Sequence, residues 1–199
     1  DRMDLNCYNS RLEINLSRIG RNIDKIRAYT GGLGLIPVVK SNAYGYGTAA
    51  VANFLVHRCG IRFLAVARLF EACQIQDSGC PDCGILFLAP FLFPDPHVKR
   101  KIEIPLFRVE DAKRLSEEAK KQGLASVKAH IKIETGMNRI GARPGKELSD
   151  LLSCIKGLGN IEIDGVFTHF ATADQANEGK GNDFTREQFS RFLEGLSQI

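Results

Sequence analysis

No stretch of the 199-residue sequence approaches the ~20 consecutive apolar residues of a membrane span. Its most apolar run, Ile85 to Phe93, is stopped by Pro94-Asp95-Pro96, so no membrane partner is expected. No secretory leader is visible in the opening Asp1-Arg2-Met3-Asp4. Six cysteines are too few for a disulfide scaffold of this length, and most sit in apolar segments where thiols act as small hydrophobes; a reducing cytoplasm is the expected compartment. Basic residues exceed acidic ones only slightly, 27 against 23. The densest basic cluster, Lys99-Arg100-Lys101, lacks interleaved aromatics, so no nucleic-acid partner is expected either. Cys80-Pro81-Asp82-Cys83 precedes a predicted strand rather than following one. It has no second pair, and no close pair exists among His57, His97, His130 and His169, so neither a redox pair nor a metal site is predicted.

What is present is alternation. Ser17 is placed to cap a helix with Ile19, Ile23 and Ile26 on one stripe, closed by Gly31-Gly32. Short apolar strands are predicted at Leu35 to Val39, Phe63 to Ala67, Ile85 to Leu88, Ile102 to Leu106, Val127 to Ile133 and Ile161 to His169. Helical spacing separates them, and a last helix carries Phe189, Phe192, Leu193 and Leu196, with Thr185 and Gln188 spaced as a capping box. Such a sequence builds a parallel sheet covered by helices. A doubly wound dinucleotide fold would place Gly-x-Gly-x-x-Gly after its first strand. Here the turn reads Lys40-Ser41-Asn42-Ala43-Tyr44-Gly45-Tyr46-Gly47, which breaks that pattern and favours a barrel.

Four places carry chemistry. One parity of the strand from Val127 is apolar, which leaves His130, Lys132 and Glu134 on the opposite face. In a barrel that face is the interior, where charge signals a site; at an exposed sheet edge it would only be a wetted face. Lys40 ends an apolar strand just before two glycines that let a ligand approach the backbone, and a desolvated lysine amine is the group that forms Schiff bases. His169 ends another strand, and Arg139 lies in a glycine-flanked loop suited to carboxylate binding.

Together these segments resemble the alanine racemases, fold-type III enzymes that use pyridoxal 5'-phosphate. The resemblance rests on Val38 to Gly47, His130 to Gly141 and Gly165 to Asp174, and covers nearly the whole chain. It implies an α/β fold of TIM type, a (β/α)8 barrel. It further implies that Lys40 is the Schiff-base lysine and the proton-transfer base on one face of the substrate. Tyr44 would bind the cofactor phosphate, His169 would stack on its ring, and Leu86 would line its pocket. Arg139 would steer the substrate carboxylate, supported by Lys132, which is N-carboxylated in several relatives. A small amino acid is the implied substrate, a homodimer the implied assembly, and D-alanine for peptidoglycan the implied product. The opposite-face base would be a tyrosine from the partner subunit, and none of Tyr8, Tyr29, Tyr44 and Tyr46 lies in a corresponding motif. Asn42, Tyr46 and Asn138 depart from the family's commonest residues, which leaves a serine or broad-specificity racemase as an alternative. A non-catalytic pyridoxal-phosphate homeostasis protein is a further alternative, disfavoured by the Ala-Tyr-Gly-x-Gly turn.

A whole barrel of this type takes ~250 residues. The expectation is therefore an incomplete barrel of about six β/α units. Residues 1–16 form an N-terminal strand segment, residues 17–199 a truncated barrel domain, and the carboxyl-terminal β domain is absent from this sequence. The 199 residues alone are expected not to racemise amino acids, which a racemisation assay on the isolated polypeptide checks.

Overall fold

A computed structural model of the chain describes residues 12–90, 100–175 and 180–199. In chain order the elements are α1 (Leu16–Tyr29), α2 (Lys40–Tyr44), α3 (Thr48–Cys59), β1 (Phe63–Val66), α4 (Leu69–Asp77), β2 (Gly84–Phe87), β3 (Ile102–Leu106), α5 (Val109–Lys121), β4 (Val127–Lys132), α6 (Lys146–Leu158), β5 (Ile161–Phe167) and α7 (Lys180–Leu196), with a short 3-10 turn at Ala173–Gln175. Among the described residues the strands form one parallel sheet in chain order, β1 to β5. An isolated bridge between Val38 and Ala65 adds a sixth position beside β1. Strictly sequential parallel order, with α3, α4, α5 and α6 on the crossovers, is the wall of an incomplete TIM-type barrel; a doubly wound sheet would reverse its order partway.

The alternation of each strand sorts its side chains between two layers. Leu64, Val66, Ile85, Ile104, Leu106, Ala129 and Ile131 join Leu55, Ile75, Leu115, Leu148 and Leu151 of the helices in one buried cluster. The opposite parity, Ala65, Leu86, Glu103, His130 and Lys132, forms the inner wall and is also buried. Two glycines make that wall possible: a Cβ on Gly84 would run into the Phe63 ring, and one on Gly165 into the His130 imidazole.

Several expectations need correction. Asn15, not Ser17, caps α1, its side chain accepting from the Arg18 N–H at 3.2 Å. The strand expected at Leu35 to Val39 shrinks to the bridge, in which Val39 donates to Ala65 O and Ala65 donates to Pro37 O. Pro37 has no N–H to extend a ladder, and the chain turns away at Lys40. Of the expected strand segment 1–16, residues 12–15 form no strand and residues 1–11 lie outside the described residues. β5 ends at Phe167, so Thr168 and His169 lie beyond it. Thr185 and Gln188 sit inside α7, which begins at Lys180, and form no cap. No helix among the described residues is long and apolar enough to cross a membrane.

Leu115→Ala should lower unfolding stability by about 2–5 kcal/mol, because Leu115 is fully buried, whereas Leu12→Ala at an exposed position should stay within about 0.5 kcal/mol. Urea unfolding midpoints of the two variants check this.

Candidate active site

The carboxyl ends of β4 and β5 and the turn after the Val38 bridge meet at one mouth. Lys132 ends β4 and is 4% exposed, its Nζ lying 5.3 Å from the centroid of the Phe167 ring that pairs with it across the strands. His169 follows β5 and Arg139 follows β4, and both share a recess with Lys132. Half-buried Lys40 faces the same charges. Burial, then Arg139 and Lys40, pull the Lys132 amine down to about 8 against the opposing pull of Glu134. His169 is held below its ordinary value by partial desolvation and by Arg139, Lys132 and Lys40. Four basic groups therefore crowd one mouth, and the crowding makes Lys132 and His169 costlier to protonate.

The carboxylate nearest them is already committed. Glu134 is 9% exposed; its Oε1 accepts from Gly136 N–H at 2.5 Å and its Oε2 from Arg139 N–H at 3.2 Å. Burial raises this carboxyl, but the backbone N–H groups of Asn138, Gly136, Arg139 and Met137 outweigh it and lower it overall. The loop they belong to is closed by an exchange in which Glu134 donates to Ala142 O and Ala142 donates to Lys132 O. Gly141 (φ 146°) is needed there, since its Cβ would fall 2.5 Å from Glu134 N. Asn138 adopts φ 56°, a left-handed conformation open to glycine or asparagine.

Lys40 opens a more unusual turn. Ser41, Asn42, Ala43 and Tyr44 all have φ between 51° and 56°, a left-handed run of four non-glycine residues. Such residues cost roughly 1–2 kcal/mol each. Glu71, 1% exposed on α4, offsets this by accepting from Ser41 N–H at 2.6 Å while its other oxygen accepts from Ala67 and Arg68 N–H. Asn42 Oδ1 accepts from Thr48 N–H at 2.9 Å at the start of α3. Gly45 and Gly47 follow with positive φ and open space where a Cβ would lie. Tyr44 is 60% exposed at the end of the turn, and Leu86 is buried on the inner wall of β2, outside the recess of Lys132, Arg139 and His169. Glu71 and its hold on Ser41 had no sequence signal beyond an acid in the first turn of a helix.

Two other clusters are less apt. Glu103, His130 and Asp164 gather on the inner wall close enough to share an ion, but the Lys128 ammonium already sits 2.8 Å from Asp164. Burial and Asp164 push the Glu103 carboxyl well above the usual range, and burial lowers His130. Such a set keeps itself neutral by protonation. A cavity of about 880 Å³ opens at the opposite end of the strands, lined by Cys80 and Cys83 among others. Burial, helped by Cys80, pushes the Cys83 thiol up to about 11, so it is a poor nucleophile and a poor metal ligand.

The alanine racemase N-terminal domain family matches residues 14–199. Alanine racemase of Clostridium perfringens is 39% identical over 180 residues, 90% of this chain and 45% of that protein. Alanine racemase from Bacillus anthracis with bound L-Ala-P superposes with a TM-score of 0.80 at 31% identity, over 92% of this chain and 46% of that one. Histidine racemase from Leuconostoc mesenteroides gives 0.76 at 25% identity, over 89% of this chain and 47% of that one. The chain spans about half the length of the curated relatives it matches.

A Glu134→Gln variant should lose about 1–3 kcal/mol at neutral pH, since an amide cannot accept from all the N–H groups around it. The folded carboxyl ionises below the ordinary value of 4.5, so its stabilisation is present above that pH and is lost as pH falls through the lower folded value. Thermal midpoints of the two proteins should therefore converge on acidification below about 4.5.

Proposed function

The chain belongs to the alanine racemase family, matched along its N-terminal domain, and from that premise we propose that it serves a pyridoxal-phosphate-dependent interconversion of L-alanine and D-alanine. The observation that carries this reading is the gathering of four basic side chains, Lys40, Lys132, Arg139 and His169, at one mouth. A phosphate-bearing cofactor and an amino-acid carboxylate are the complement of that charge, and the open backbone at Gly45 and Gly47 leaves room for approach. The donor set fits the cofactor.

Lys40 would hold it through its amine, Tyr44 through the phosphate, His169 against the ring, with Leu86 on the wall behind. When bound, the cofactor withdraws electrons from the substrate Cα and makes its hydrogen acidic. Lys40 Nζ then removes or returns that proton on one face. Arg139 pairs with the substrate carboxylate, and its loop is kept in place by Glu134. A Lys132 amine that titrates at about 8 is about one-tenth neutral at pH 7 and can add carbon dioxide, giving a carbamate and a released proton. That anion would relieve the crowding by pairing with Arg139. Inversion needs a second base on the other face. We assign it to a tyrosine of a partner subunit, hence a homodimer, and assign the reaction to the cytoplasm as a supply of D-alanine for peptidoglycan.

The exposed Asn42, Asn138 and Tyr46 around the mouth, where the family commonly has other residues, favour a second reading, racemisation of serine or a broader set of amino acids. Racemisation rates of the intact gene product on L-alanine, L-serine and L-histidine separate the two.

Borohydride reduction of the intact gene product with pyridoxal phosphate should label Lys40, and Lys40→Ala should lose the label and about a thousandfold or more of the racemisation rate. Peptide mapping that places the label on another lysine would contradict the assignment.

A further inference from the structure

Gln188 is the one wholly buried glutamine among the described residues, and it bonds to nothing but the mouth. Its Oε1 accepts from Ala171 N–H at 2.8 Å, while its Nε2 donates to Thr135 Oγ1 and to His169 O, both at 3.1 Å. Thr135 begins the loop that carries Arg139, and its hydroxyl lies 2.9 Å from that of Thr168, which in turn donates to Ile133 O. One turn further along α7, Arg191 Nη1 donates to Thr135 O at 3.0 Å, in space kept by Gly136, whose Cβ would fall 2.5 Å from it.

From this we propose that Gln188 is a positioning residue that locks the Arg139 loop to the His169 segment and so sets the spacing of the two basic groups that meet the ligand. The proposal rests on the mouth being a cofactor and substrate site. A glutamine that served packing alone would be replaced without penalty by an apolar side chain of its volume. Here both N–H donors and one oxygen lone pair are spent on two segments that pair with no common strand beyond Phe167, so removing them leaves backbone groups at the mouth unpartnered.

The test compares Gln188→Met with Gln198→Met in the intact gene product. Gln198 makes similar bonds to Gly145 and Ser149, at the outer side of α6. Gln188→Met should weaken pyridoxal phosphate binding about tenfold. Gln198→Met should leave it within twofold of the parent even where both lose thermal stability. Equal binding by Gln188→Met and the parent, or equal losses in both variants, overturns the proposal. Amide hydrogen exchange in the unaltered protein supplies a second arm. The exposed Ala171 N–H should exchange at least about a hundredfold slower than an unstructured amide, since its partner is buried, and exchange at the unstructured rate overturns the proposal. Should the parent take up no cofactor, the reading of the mouth fails, while Ala171 protection still decides the Gln188 lock.

Discussion

The burial of the Lys132 amine among other basic side chains at the barrel mouth is the constraint to which the rest of the structure answers. Lys132 is buried, Lys40 half-buried, and the exposed Arg139 and His169 border the recess, while the carboxylate of Glu134 is committed to loop N–H groups. A protonated Lys132 is unfavourable there without an anion. The arrangement persists because each side chain is fixed by an element whose other face is packed into the helix layer. Ile131 and Ile133 anchor the strand end that presents Lys132, and Val39 anchors the approach to Lys40.

Non-reacting polar side chains provide the rigidity. Glu71 holds the left-handed turn behind Lys40, Glu134 ties the loop of Arg139, and Gln188 joins that loop to His169. All three are buried, and all three bond chiefly to backbone N–H or C=O groups that have no ladder partner. At these three places the backbone departs from regular strand and helix where a buried side chain replaces the lost hydrogen bonds. This is how a stored cost of positive φ at Ser41 to Tyr44 is sustained beside Lys40.

The alternation of strands and helices was legible because each element has its own apolar period, and the polar parity of β4 correctly pointed inward. The basic residues that gather at the mouth stand in motifs that the sequence singles out. Less accessible were features that depend on partners distant in sequence. Glu71 reads as a helix N-terminal acid until Ser41, thirty residues earlier, is brought onto it. Thr185 and Gln188 have capping spacing, but α7 begins at Lys180 and Gln188 turns inward to Thr135. Local spacing cannot reveal a bond across 53 residues. The strand before Lys40 is shorter than its apolarity predicts, because Pro37 lacks an N–H and the chain turns away directly after Val39.

Titration of the Lys132 amine, followed by NMR on selectively labelled lysine in ligand-free protein and carbon-dioxide-free buffer, tests the crowding most directly. The account predicts a midpoint at about 8, rising when Arg139 is replaced by a neutral residue. A midpoint at the ordinary value of 10.5, unmoved by that replacement, would contradict it.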